Sequence, residues 1–331
     1  MFISFKNDKF YNMRNCLFLI LLGLQYFLYA QDTIEFTDLY GDYLGQTPPT
    51  DTPLVFAPGF ISTDSLIEHC APAFSPDGTE VYWCVIRSPK SDNEEWTSWG
   101  MTMRRIGDRW TVPEVTSFYG GPTFSMNGKR LYFPGLYPEK KANGPYFIER
   151  QNDNWSQPEN LGIVTRFPEI KTANSFSFTR NGTIYFSGDI EGNEKIKDNR
   201  IFRTKLVDGI YTELELLPQS INLSPYNNLL SFIAPDESYL IFTSNRKGNF
   251  GGGDLYISFH DNNTDTWSEP INMGAPINTS KEERFPGLSP DGKYLFFTRS
   301  TRSGFPDFDH DIFWVSTEVI DRLKEKCNVN K

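Results

Sequence analysis

Chemistry-bearing side chains are scarce in this 331-residue chain: it has three histidines (His69, His260 and His310) and four cysteines. It contains no Gly-rich phosphate loop, no zinc-ligand spacing and no Gly-x-Ser-x-Gly elbow, which excludes P-loop nucleotide chemistry, structural zinc and the α/β-hydrolase nucleophile. No metal and no cofactor is expected. Basic residues are outnumbered, 32 against 42, for a formal net charge of -10. That balance excludes nucleic acid as the main partner, because such binding rests on clustered Lys and Arg. Beyond residue 30 no apolar run is long enough to cross a membrane.

The N-terminus reads as a targeting segment. Lys6, Lys9 and Arg14 form a basic stretch, Cys16 to Leu28 an apolar one, and Leu28-Tyr29-Ala30 a small-residue cleavage site. Met13 is an alternative start, and an uncleaved anchor is the alternative to cleavage. Residues 1–30 are therefore expected to be a signal peptide and 31–52 a polar leader, with no membrane span after cleavage. Cys70 and Cys84 lie at equal distance either side of Asp77, so in a hairpin they are either a cross-strand disulfide or two buried thiols.

What is abundant is aromatic residues, 15% of the chain with 28 Phe, together with 25 Gly and 22 Pro. That composition points to an all-β protein with many turns. Phe74-Ser75-Pro76-Asp77-Gly78, followed by Val81-Tyr82-Trp83, is a turn between two strand-like runs. It returns around Asn127, Asn181, Asp236 and Asp291, at intervals of 50 to 55 residues, which marks a repeat architecture. A third strand follows each hairpin, and a fourth is announced by Trp110, Trp155, Tyr211 and Trp267. Four short antiparallel strands per repeat make a β-propeller blade. The fifth repeat lacks its fourth strand, since a helix-like tail follows Ser316. Residues 53–56, which resemble Pro270 to Met273, are expected to supply it and close the ring. The expected fold is a five-bladed β-propeller over 53–317 with a C-terminal tail, 318–331.

The Ser-Pro-Asp-Gly hairpins, with Ser244-Asn245-Arg246 and Gly251-Gly252-Gly253-Asp254-Leu255-Tyr256, resemble the PD40 (WD40-like) repeats of exported bacterial propellers related to the TolB propeller. The resemblance implies a periplasmic or cell-surface protein of a Gram-negative bacterium. Such propellers serve as scaffolds and binding platforms and, in oligogalacturonate-lyase-like relatives, as enzymes.

In a propeller, the loop leading into each innermost strand and the loop joining its second and third strands share one face. Eight residues before the turn residue stand His69, Tyr119, Ala173, Asn228 and Glu283, and Arg284 follows the last of them. Arg87, Asp189, Arg246 and Arg299 come from the second-to-third strand loops. Arg clusters suit a carboxylate, and Trp96, Trp99 and Phe250 offer stacking surfaces for sugar rings. An acidic oligosaccharide is the expected substrate, with β-elimination the reaction. In it His69 and Tyr119 are the acid/base pair, Arg284 the carboxylate clamp, and Glu283, Asn228, Arg87, Arg299 and Arg246 the further binding groups. A hydrolase using Glu68, Glu283 or Asp189 is a chemical alternative. A non-catalytic propeller that binds an envelope protein or a glycan is the functional one. His260 is expected on the surface, and His310 in a solvated acidic loop.

Overall fold

The computed structural model describes residues 39–89, 95–136, 144–152, 154–190, 199–302 and 309–329. The signal-peptide reading and the first part of the leader lie outside the described residues.

Each turn is built by its own side chains. The Ser75 hydroxyl donates to Asp77 at 2.6 Å and accepts the Glu80 amide at 2.9 Å. The Asp77 carboxylate in turn accepts the Thr79 amide at 3.1 Å. Ser125 with Asn127 and Ser289 with Asp291 repeat the arrangement, each hydroxyl accepting the amide five residues on. Gly78 closes the first turn at φ 69°, in the left-handed region that Gly adopts without strain.

The strands beyond the turns form five antiparallel blades. The inner, second and third strands of blade 1 are Ile67–Glu68 with Ala73–Phe74, Glu80–Arg87 and Thr97–Ile106. Blade 2 runs from Phe118–Tyr119 to Glu159–Asn160, blade 3 from Ile170–Phe178 to Glu215–Leu216, and blade 4 from Asn228–Ile233 to Ile271–Asn272. Blade 5 contains Glu283–Leu288, Tyr294–Arg302 and Asp309–Ser316, and its outer strand is Leu54–Val55. Leu54 pairs with Trp314 and Val55 with Phe313, so the chain closes as expected and a long open edge is avoided.

Closure is reinforced by a staple that recurs. Asn222 accepts the Ile201 amide through its side chain and donates to the Ile201 and Leu217 carbonyls. Asn278 does the same with Leu255. At the seam Ser62 stands in for them, accepting the Ile312 amide at 3.1 Å.

Packing between blades is aromatic. Phe56 lies edge-on to Phe296 and Trp314, with ring centroids 5.1 and 5.2 Å apart. From Tyr40 onward the leader packs against this seam. Tyr43 sits among Phe74, Tyr294 and Trp314, and its hydroxyl donates to Asp291 at 2.9 Å. The tail is a helix, Glu318–Val329, whose Val319, Ile320 and Leu323 join the core of blades 4 and 5. No helix among the described residues is long and apolar enough to cross a membrane.

Candidate functional site

The inner strands of all five blades surround a central channel of about 900 Å³. Its volume lies within the range of about 300–1,000 Å³ usual for small-molecule sites. At one mouth stand His69, Gly120, Asn174, Leu229 and Phe285; at the other the turn residues Pro76, Met126, Arg180, Pro235 and Pro290. Arg180, Asp236 and Asp291 are the charged side chains among the described lining residues, and all three belong to the turn mouth.

The inner strands are irregular at one level. Register slips between Asn174 and Ser177, between Leu229 and Phe232, and between Arg284 and Gly287. Ser175, Leu230 and Phe285, inside these bulges, have φ of 53°, 55° and 50°. Bulges re-aim side chains and often sit beside binding sites, and positive φ is uncommon for residues other than Gly. The three bulges therefore form a strained collar around the channel.

Blade 1 departs from this pattern, and that corrects the alignment of mouth residues by fixed offset. Glu68 pairs with Val85 and Glu283 with Arg299, and those two partners stand equally far beyond their turn residues. Glu68 is thus the counterpart of Glu283 and Asn228, and His69 that of Arg284. The cause is one extra residue between His69 and Ala73, where the inner strand of blade 1 is interrupted.

Most of the expected binding groups are engaged within the protein. Asn228 is fully buried and donates to the Leu223 and Tyr226 carbonyls. Arg246 donates to the Ser220 and Ile221 carbonyls and to Asn228, with its guanidinium over the rings of Phe242 and Tyr256. Arg299 repeats that clamp on the Pro276 and Ile277 carbonyls and donates to Glu283 at 2.9 Å. Glu283 is fully buried, accepts the Thr279 hydroxyl at 2.7 Å, and has its pKa raised chiefly by burial. Arg87 is exposed, with its guanidinium 6.0 Å from the Trp99 ring centroid. Tyr119 pairs with Gly135 in blade 2, and its side chain lies outside the described residues.

A second group gathers where blades 1 and 5 meet. His69 lines the channel, and its ring lies edge-on to Phe285 at 4.8 Å. Its Nδ1 is buried without a hydrogen-bond partner. Burial, and then the charge of Arg284, lowers its pKa to about 4. Arg284 pairs with Glu282, while its Nε is buried without a partner. His310 is fully buried rather than solvated, and burial lowers its pKa to about 3. Glu68 is also fully buried. One of its oxygens accepts the Thr63 amide and hydroxyl, and the other, Oε2, has no partner. Burial, followed by the charges of Asp311 and Asp309, raises its pKa to about 10. Sequence marked Glu68 only as one carboxylate among several. Its isolation follows from a cross-strand neighbour, Val85, that cannot pair with it.

His260 is not on the surface as expected: its ring stacks on Trp267 at 4.3 Å and bonds to Asp265. Cys70 and Cys84 are free thiols, with Cys70 Sγ accepting the Cys84 amide. Among the described residues no group of three or more His, Cys, Asp or Glu is arranged to hold a metal ion.

No family model matches the chain, and no curated protein matches it. Solved structures of similar shape include a protein of unknown function from Dyadobacter fermentans, 13% identical, with a TM-score of 0.46 over 82% of this chain and 83% of that one. Kuenenia stuttgartiensis hydrazine synthase is 14% identical, with a TM-score of 0.39 over 78% of this chain and 80% of that one. An oligogalacturonate lyase in complex with manganese is 12% identical, with a TM-score of 0.40 over 78% and 68%. Likeness this distant carries no functional argument for this chain.

Proposed function

We propose that the protein is a carbohydrate-active enzyme that acts on acidic, uronate-containing oligosaccharides by β-elimination, as a lyase or a dehydratase. The observation that carries this reading is the His69 imidazole: neutral, unpaired at Nδ1, on the wall of the channel and beside Arg284.

In this reading the substrate carboxylate pairs with Arg284 beside Glu282, and neutralising it acidifies the adjacent C5 proton. His69 Nδ1 accepts that proton. The electron pair forms a C4=C5 double bond as the C4–O bond breaks, and the leaving oxygen takes a proton from Tyr119. A sugar leaving group makes the enzyme a lyase, and water makes it a dehydratase. The carboxylate also offsets the Arg284 charge that depresses His69, so the base strengthens as substrate binds. Arg87 and Trp99 offer a charged and stacking surface for further sugar units. Export to the periplasm or cell surface, as the N-terminal segment suggests, gives access to such glycans.

The test is the far-ultraviolet absorbance of the unsaturated product on incubation with uronate oligosaccharides. Replacing a general base typically costs 10²–10⁴-fold, so His69→Ala is expected to lose about that much activity. Full activity in the His69→Ala, Tyr119→Phe double variant sinks the proposal.

A non-catalytic exported propeller binding a protein or a glycan is the second reading. It is favoured by the structural engagement of Asn228, Glu283, Arg246 and Arg299. Absence of turnover on any uronate substrate, with reproducible capture of one envelope protein, would decide for it.

A further inference from the structure

Below the mouth, the channel changes character. Its wall carries Pro, Ala, Phe, Leu, Thr and Ser side chains, and the charged groups of the described lining, Arg180, Asp236 and Asp291, stand at the far mouth. Within that wall two more polar atoms are buried without a hydrogen-bond partner, Asn174 Oδ1 in blade 3 and Ser231 Oγ in blade 4. Asn174 stands level with His69 in the aligned inner strands, and Ser231 lies two residues deeper, inside the blade 4 bulge. Phe176, Phe232 and Phe285 line the same channel. Both atoms flank the collar of positive-φ residues Ser175 and Leu230. Buried polar atoms are nearly always satisfied, and those that are not call for an explanation.

We propose that the channel selects a saccharide with a single carboxylate at the His69 and Arg284 end, followed by uncharged sugar units whose hydroxyls bond to Asn174 and Ser231. This rests on the reading of His69 and Arg284 as the carboxylate end. A sugar hydroxyl both donates and accepts, so it serves an amide oxygen and a serine hydroxyl alike. The flat apolar faces of a pyranose suit the Phe side chains. A homopolymer of uronates fits poorly. Its second and third carboxylates would lie against an apolar wall with no counter-charge, and burying an unpaired charge is strongly unfavourable. The chain's net charge of -10 disfavours polyanions further.

The test is isothermal titration calorimetry of the full mature chain with three trisaccharides: one glucuronate on xylobiose, tri-galacturonate, and xylotriose. The mono-uronate compound is expected to bind at least about tenfold more tightly than tri-galacturonate. Asn174→Ala and Ser231→Ala are each expected to weaken the mono-uronate compound and xylotriose alike, by about 3–10-fold, the worth of one hydrogen bond. Ser231→Ala is not expected to lower the Tm, because it removes an atom with no partner in the free protein. Tri-galacturonate binding as tightly as the mono-uronate compound overturns the inference, as do unchanged affinities in both variants or no binding of any probe. The readout is independent of turnover. Preferential binding of an unconverted mono-uronate compound, whose uronate has only water to lose from C4, refutes the dehydratase form of the elimination and keeps the selectivity, whereas preferential binding and conversion of tri-galacturonate refutes the selectivity and keeps the elimination.

Discussion

Glu68→Gln is expected to make the folded protein more stable at mildly alkaline pH. The Glu68 carboxyl has no exposed surface, and its pKa stands at about 10 against an ordinary 4.5. Between those values the folded chain holds a proton that the unfolded chain has lost, so stability falls as pH rises across the window. A one-unit difference is worth about 1.4 kcal/mol, so the group costs the fold about 1.4 kcal/mol per pH unit. His69 and His310 act in the opposite sense. Their folded pKa values, about 4 and about 3, lie below the ordinary 6.5, so stability rises with pH up to about 6.5 and their contribution is then complete. Cys70 and Cys84, whose pKa values are both raised chiefly by burial, enter only near and above 9.0. The window from pH 7 to 8.5 therefore isolates Glu68, which there costs about 2 kcal/mol. That is a large share of the 5–15 kcal/mol typical of a folded domain. Gln keeps an oxygen for the Thr63 amide and hydroxyl and cannot ionise. Urea midpoints at pH 7 and 8.5, read through the buried Trp83, Trp110 and Trp314, measure the difference. The wild type should lose about 2 kcal/mol between the two and the variant much less. Parallel pH slopes for both proteins would refute the reasoning.

Three further outcomes are expected. If His69 is the base, kcat/KM for elimination should rise through about pH 4 and level off by about pH 6, and a pH–rate profile whose acid limb lies near 6.5 would contradict the burial of that ring. Asn278→Ala should cost about 2–3 kcal/mol, because it leaves the Leu255 amide and carbonyl unpaired, and Ser62→Ala should cost about 1–2 kcal/mol at the seam; urea denaturation measures both. Gly251→Ala should abolish soluble expression, because a Cβ there would stand 1.6 Å from the Lys281 carbonyl oxygen, and a folded variant with wild-type Tm would show that the segment can relax.

The fold was legible because its punctuation is local. A Ser or Thr, an Asp or Asn and a Gly within four residues build four of the five turns from their own atoms, and in blade 4 Asp236 accepts from Ser238, so the motif survives divergence elsewhere and counts the blades. The borrowed strand was legible for a similar reason, since 53–56 copies a segment that precedes another hairpin. The site was less so. Residues near the mouth are placed by pairing rather than by distance along the chain, and one extra residue between His69 and Ala73 shifts every position before it. Fixed-offset counting therefore set His69 beside Glu283, where pairing sets Glu68. Nor could sequence tell a free arginine from an engaged one. Arg246 and Arg299 bind carbonyls 22 to 26 residues earlier, in loops just before their own blades. A signal for that clamp was present in the Ile221-Asn222 and Ile277-Asn278 pairs, whose Asn fix those loops for the arginines to grip. Arg284 instead pairs with Glu282, two residues before it in the chain. Among the described residues, Arg284 is the cation whose charge acts on the neutral His69 imidazole. That pairing is suited to a single carboxylate, and it is why selectivity rather than affinity for charge is the property on which the functional reading turns.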